Sequence, residues 1–198
     1  MKAGLMLGVN PKAKREENDF YATDPFAIDI VLPTLEKIGL NKNIWECACG
    51  KGHLAERLKD NGYNVYASDL IDRGYGEIKD FLKQDKFHFN GDILTNPPFR
   101  FAEDFVKKGF EVLTEGRRII LLLKIQFLET KSRKELFQNY PLEYVIVNSE
   151  RICCAKDGEF DKYFKKRNDG RYVGGTQLYA WYVFKKTEIK MEPKILFV

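Results

Sequence analysis

Apolar residues along this chain change period repeatedly, and the changes divide it into short strands and helices. Asp24-Pro25 sets up a helix start, with an aspartate to cap and a proline whose missing N–H costs nothing in the first turn. Phe26, Ile28, Val31, Leu32 and Leu35 follow at helical spacing. Pro33 falls inside that pattern and is expected to kink or split the helix. A strand is predicted over 43–47, a helix from His53 to Asp60 ended by Asn61-Gly62, and a second strand over 65–68 ending at Asp69. A short helix is expected around 77–83. GDILT (91–95) reads as a strand, and Ala102, Phe105, Val106, Phe110 and Leu113 then recur at helical spacing. The stretch RIILLLK (118–124) is an almost unbroken apolar run, as a central parallel strand shows. A helix over 129–138, a strand over 144–148 and a last strand over 177–185 complete the pattern. Strands alternating with helices predict an α/β, doubly wound, mostly parallel sheet with an antiparallel C-terminal strand.

Bulk properties narrow this picture only slightly. A chain of 198 residues suits one domain, or one domain with a substantial insertion. Residues 1–20 read as a charged, mobile N-terminal arm with no secretory cleavage site. No apolar run approaches the ~18 residues needed to span a bilayer, so no membrane partner is expected. Cys47, Cys49, Cys153 and Cys154 have spacings that fit no standard zinc finger. Free thiols in a reducing cytoplasm are the expectation, with no metal. The net charge of +4 is mild, but its distribution is uneven. Segment 151–175 holds seven Lys/Arg against four Asp/Glu, interleaved with Phe160, Tyr163, Phe164 and Tyr172.

Four short motifs carry candidate chemistry. In 45–52 (WECACGKG) a strand, a small-residue turn and a helix start let a ligand approach the backbone, as any strand–turn–helix of this class can. Its acidic Glu46 suits a ligand's ammonium better than a pyrophosphate. Asp69, at the end of the next strand, can accept two ribose hydroxyls, while Leu70 can pack on a base; a plain turn aspartate would look the same. Asp80-Phe81 can accept from an exocyclic amine and cover a purine face, or be a surface aspartate beside a core ring. The fourth motif, Asn96-Pro97-Pro98-Phe99, ends a strand rigidly. The Asn96 amide oxygen and the Pro97 carbonyl are fixed in direction, and two converging acceptors are what an exocyclic NH₂ needs. Binding both protons frees the nitrogen lone pair for attack on a methyl sulfonium, and Phe99 offers a face for an extruded base.

In that order, Glu46-x-Ala48-x-Gly50-x-Gly52, Asp69, Asp80-Phe81 and Asn96-Pro97-Pro98-Phe99 closely resemble the S-adenosylmethionine-dependent N6-adenine DNA methyltransferases. Upstream, 18–25 (NDFYATDP) looks like their N-terminal cofactor-binding segment, while 72–76 (DRGYG) and 179–184 (YAWYVF) look like the small phage and prophage members. The resemblance runs from about residue 18 to 185. It implies a Rossmann-like methyltransferase domain over 21–198, with 151–175 as a basic, aromatic insertion. It implies S-adenosyl-L-methionine as cofactor, with Tyr21 and Thr23 bordering its methionine end above Glu46, Ala48, Gly50 and Gly52. Asp69 would take the ribose, and Asp80 with Phe81 the adenine. Asn96 and Pro97, stiffened by Pro98, would hold the target amine while Phe99 stacks on its base. The motif specifies amino-group methylation without separating adenine from guanine, or DNA from RNA; a glutamine amide in protein is the other related acceptor. C5-cytosine chemistry is disfavoured, because the chain has no Pro-Cys to supply the thiolate nucleophile. The family's larger members carry a separate recognition domain. Here Lys162, Lys165, Lys166, Arg167 and Arg171 of the insertion are the candidates for contacting nucleic acid, DNA first. A non-catalytic nucleic-acid-binding module on the same fold is the alternative of another class.

Overall fold

The computed structural model describes residues 20–85 and 88–198. The expected arm, with Asn18 and Asp19 of the N-terminal motif, lies outside the described residues except for Phe20. In chain order the elements are β1 (Tyr21–Thr23), α1 (Phe26–Lys37), β2 (Asn43–Glu46), α2 (His53–Asp60), β3 (Asn64–Asp69), β4 (Glu77–Ile78) and β5 (Asp92–Thr95). There follow α3 (Ala102–Val112), β6 (Arg118–Lys124), α4 (Lys131–Asn139), β7 (Leu142–Val147), β8 (Cys154–Lys156), α5 (Phe160–Tyr163), β9 (Lys165–Lys166), β10 (Tyr172–Val173), β11 (Tyr179–Lys185) and β12 (Lys194–Phe197).

The central sheet has the order β12-β7-β11-β6-β5-β2-β3-β4. Only β11 runs against its neighbours, wedged antiparallel between β6 and β7. This is the expected mostly parallel, doubly wound α/β sheet with its antiparallel late strand. Alternation along the strands feeds two cores. Ile120, Leu122 and Trp181 face α1 and α2, whereas Ile119, Leu121, Leu123 and Tyr182 face α3 and α4. Each apolar strand is thus buried on both faces, which is why 118–124 shows no polar alternation.

Three local expectations need correction. Helix α1 is not split at Pro33: the ring is exposed, so the lost hydrogen bond falls on the solvent side, while Val31, Leu32 and Leu35 stay buried on the core side. No α-helix spans 77–83. Gly76, at φ +73°, brings the chain so close to Ala67 that an added Cβ would lie 2.8 Å from its carbonyl oxygen. The following residues therefore lie along β3 as β4, and a 3₁₀ turn over Phe81–Lys83 follows, capped where Asp80 Oδ1 accepts from Leu82 N. Beyond 185 the pattern gave no strand, yet β12 adds parallel to β7 at the sheet edge.

The N-terminal segment and the insertion form one unit. Strand β1 pairs antiparallel with β8, setting Tyr21 opposite Lys156 and Thr23 opposite Cys154. Asp24 ties the ends together: its N–H donates to Cys153 O, Oδ1 accepts from Phe26 N and Oδ2 from Tyr172 N. Ala22, Ala155 and Phe160 bury the opposite face of this ribbon.

Candidate functional site

The chain passes from β2 outward to β3 and β4, then returns to start β5 on the other side of β2. Open α/β sheets bind ligands at such a reversal, outside the carboxyl ends of the strands. Glu46 ends β2 and Thr95-Asn96 ends β5, so both lie at this point.

Glu46 is buried, and Oε1 accepts from Thr95 Oγ1 at 3.1 Å. Its Oε2 is also buried, yet has no hydrogen-bond partner among the described residues. Burial pushes this carboxyl up to about 8, with the negative charge of Asp69 adding to the effect and the Thr95 bond opposing it. A lone buried acceptor of this kind calls for a donor, preferably a cationic one.

The turn after β2 is built for close approach. Gly50 and Gly52 have φ of +55° and +83°. An added Cβ on Gly50 would strike the Phe20 ring at 2.0 Å, and one on Gly52 the Tyr75 ring at 2.6 Å. Asp69 secures the turn, since Oδ2 accepts from Gly50 N at 2.8 Å and Oδ1 from Ile71 N at 3.0 Å. Ala48 is half-buried against the core, and Leu70 is exposed beside Asp69. Asp80 caps its turn and pairs with Lys83 at 3.2 Å. Phe81 is a core side chain, set edge-on to Trp45 at 5.2 Å and beside Phe105 at 4.9 Å.

At the end of β5 the Asn96 amide is oriented by β1. Its Nδ2 donates to Thr23 Oγ1 at 2.8 Å, and Thr23 is itself buried. That bond turns Oδ1 the other way, where it is buried without a partner among the described residues. Pro97 is buried and Pro98 exposed. The Phe99 ring is partly exposed and lies 6.0 Å from the Tyr179 ring, with Lys124 Nζ over it at 5.5 Å. Tyr21, half-exposed, shares the Thr23 face of β1.

The structure thus brings together Thr23, Glu46, Gly50, Asp69 and Asn96. The basic set is more dispersed in role. Arg171 is engaged with Asp169 and Glu150, and Lys162 pairs with Glu159. Arg167 lies 3.6 Å from Asp169. Lys165 and Lys166 are exposed on β9, and Lys166 Nζ sits over Tyr172. Sequence reasoning did not single out Thr95 or Cys154 as parts of the site, and included Phe20 only within the 18–25 segment. Thr95 and Phe20 each adjoin a residue that was singled out; Cys154 carries no local signal, because only the β1–β8 pairing brings it to Thr23.

No protein-family model and no curated protein matches this chain. Solved structures do. A provisionally named class I S-adenosylmethionine-dependent methyltransferase from Listeria monocytogenes superposes with a TM-score of 0.58 at 13% identity, over 94% of this chain and 68% of the other. The fold is that of the class I methyltransferases. A provisionally named RNA methyltransferase from Pyrococcus horikoshii gives 0.54 at 16% identity, covering 94% of this chain and 98% of its own. The type IIG restriction endonuclease BpuSI gives 0.56 at 13% identity, over 88% of this chain but 26% of the larger enzyme.

Proposed function

We propose that this protein transfers a methyl group from S-adenosylmethionine to the N6 amine of adenine in DNA. The observation that carries the proposal is the Asn96 amide, fixed by Thr23 so that a buried, unpartnered oxygen faces the end of β5. One observation fits the residues to the cofactor: Glu46 Oε2, at the end of β2 where the glycine turn begins, is an unpaired buried acceptor for its ammonium. When bound, S-adenosylmethionine supplies an electrophilic methyl group on a sulfonium. Asp69 holds the glycine turn in place, and its remaining lone pairs stay available to ribose hydroxyls. Asn96 Oδ1 and the Pro97 carbonyl would each accept a hydrogen bond from one N–H of the target amine, which draws the nitrogen lone pair out of conjugation with the ring. Phe99 gives the base a face to stack on. That several superposable structures carry methyltransferase names supports the cofactor assignment.

The test is incubation with tritiated cofactor and equal masses of DNA, RNA and denatured protein, followed by nucleoside analysis of the labelled polymer. Label is expected in DNA as N6-methyldeoxyadenosine. Label confined to RNA or to glutamine would overturn the substrate, and label in none of the three would overturn the catalytic reading.

A further inference from the structure

A cavity of about 400 Å³ opens between β1 and the insertion, lined among others by Tyr21, Cys154, Tyr163, Gln177 and Tyr179. It adjoins the Asn96 site on two sides. Tyr21 lies on the same face of β1 as Thr23, which holds Asn96, and Cys154 stands directly opposite Thr23. Tyr179 meets the Phe99 ring. The volume falls within the ~300–1,000 Å³ typical of small-ligand sites. Two of its aromatic walls are left half in water, Tyr21 at 50% and Tyr163 at 47% exposure, where burial would have been favourable. The Gln177 amide makes no hydrogen bond among the described residues.

We propose that this cavity holds the target nucleobase, and that Tyr163 and Gln177 of the insertion and its flank recognise it. The inference rests on the methyl-transfer function proposed above and goes beyond it, because it assigns base recognition to 152–177 rather than to the Asn96 turn alone. The chemistry is complementary. Aromatic faces stack on any base, while a free amide can donate to a ring nitrogen of that base. The glycine turn, where the cofactor is assigned, joins β2 to α2 and is held by Asp69 of β3, and none of its residues lines the cavity, so the two ligands do not compete for it.

Saturation-transfer NMR on the full chain, saturated with S-adenosylhomocysteine and titrated with dAMP, tests this. Saturation is expected at the base protons of dAMP, and more weakly for dTMP, which has no exocyclic amine. Gln177→Ala should weaken dAMP by about three- to tenfold, as loss of one hydrogen bond does. Tyr163→Ala should weaken it by at least about fivefold, the lower end for a lost stacking partner. Leu178→Ala, at an exposed neighbour outside the cavity, should leave the affinity unchanged. No saturation of dAMP, equal response to dTMP, or unchanged affinity in both cavity variants would overturn the assignment. These readings are independent of whether methyl transfer to DNA is found, so the two proposals fail separately.

Discussion

Thr23 decides which end of the Asn96 amide faces the site, because its hydroxyl accepts from Nδ2 and leaves Oδ1 as the free acceptor. Thr23→Val keeps the shape and removes the acceptor. A buried amide left unpaired costs ~1–3 kcal/mol, so kcat is expected to fall by about 5- to 150-fold, with Thr23→Ser restoring most of it. Stopped-assay kinetics beside calorimetric cofactor binding would decide: a loss confined to cofactor affinity would put Thr23 at the cofactor instead. Glu46 makes a prediction about protons. Its folded carboxyl titrates at about 8, above the ordinary 4.5, so the folded chain holds this proton more tightly than the unfolded one. The sign follows: Glu46 subtracts stability as pH rises from about 4.5 to 8. Binding a cationic ammonium near pH 6.5 should therefore expel about one proton, measured by calorimetry in buffers of different ionisation enthalpy. Glu46→Gln should release none, and an unchanged release would remove Glu46 from the ammonium's partners.

Among the elements, the ribbon of β1 and β8 does what neither strand's sequence announces. Three residues on each side place Thr23 over Asn96 and fasten the insertion beside it through Asp24. The strands and helices that pack on the central sheet were legible from periodicity, since burial on both faces or on one stripe writes itself into the residue pattern. What failed was decided by tertiary contact. The 77–83 stretch has a helical look, but the approach of Gly76 to β3 overrides it, and Pro33 is tolerated because it faces water. The basic insertion divides likewise once partners are known. Arg171 is held by Asp169 and Glu150 and lies over Phe26, so its replacement should loosen the insertion. Lys165 and Lys166 remain presented to solvent on β9. Replacing both with alanine should reduce the steepness of log K against log salt for DNA by about 1.8, at ~0.9 per phosphate contact. An unchanged slope in filter-binding titrations would mean that β9 does not meet the backbone of DNA.

At the scale of the whole molecule, the doubly wound sheet gathers residues from four distant parts of the chain at one reversal of strand order. The placement of Glu46 and Asp69 at strand ends, and of Asn96 directly after one, was readable in advance, and strand ends in this architecture converge. The partners that orient them were not: Thr95 for Glu46, the Gly50 amide for Asp69 and Thr23 for Asn96 are chosen by packing across 49, 19 and 73 residues of sequence. Phe81 shows the reverse limit, because an aromatic beside an acid is written identically whether its ring faces a ligand or, as here, the core. The account stands on the free oxygen of Asn96. Its most direct test is Asn96→Ala, compared with the native protein for N6-methyldeoxyadenosine formed in unmethylated DNA, with cofactor affinity measured in parallel. The expected result is loss of methylated adenine with cofactor binding kept; methylation persisting at the native rate in Asn96→Ala would contradict it.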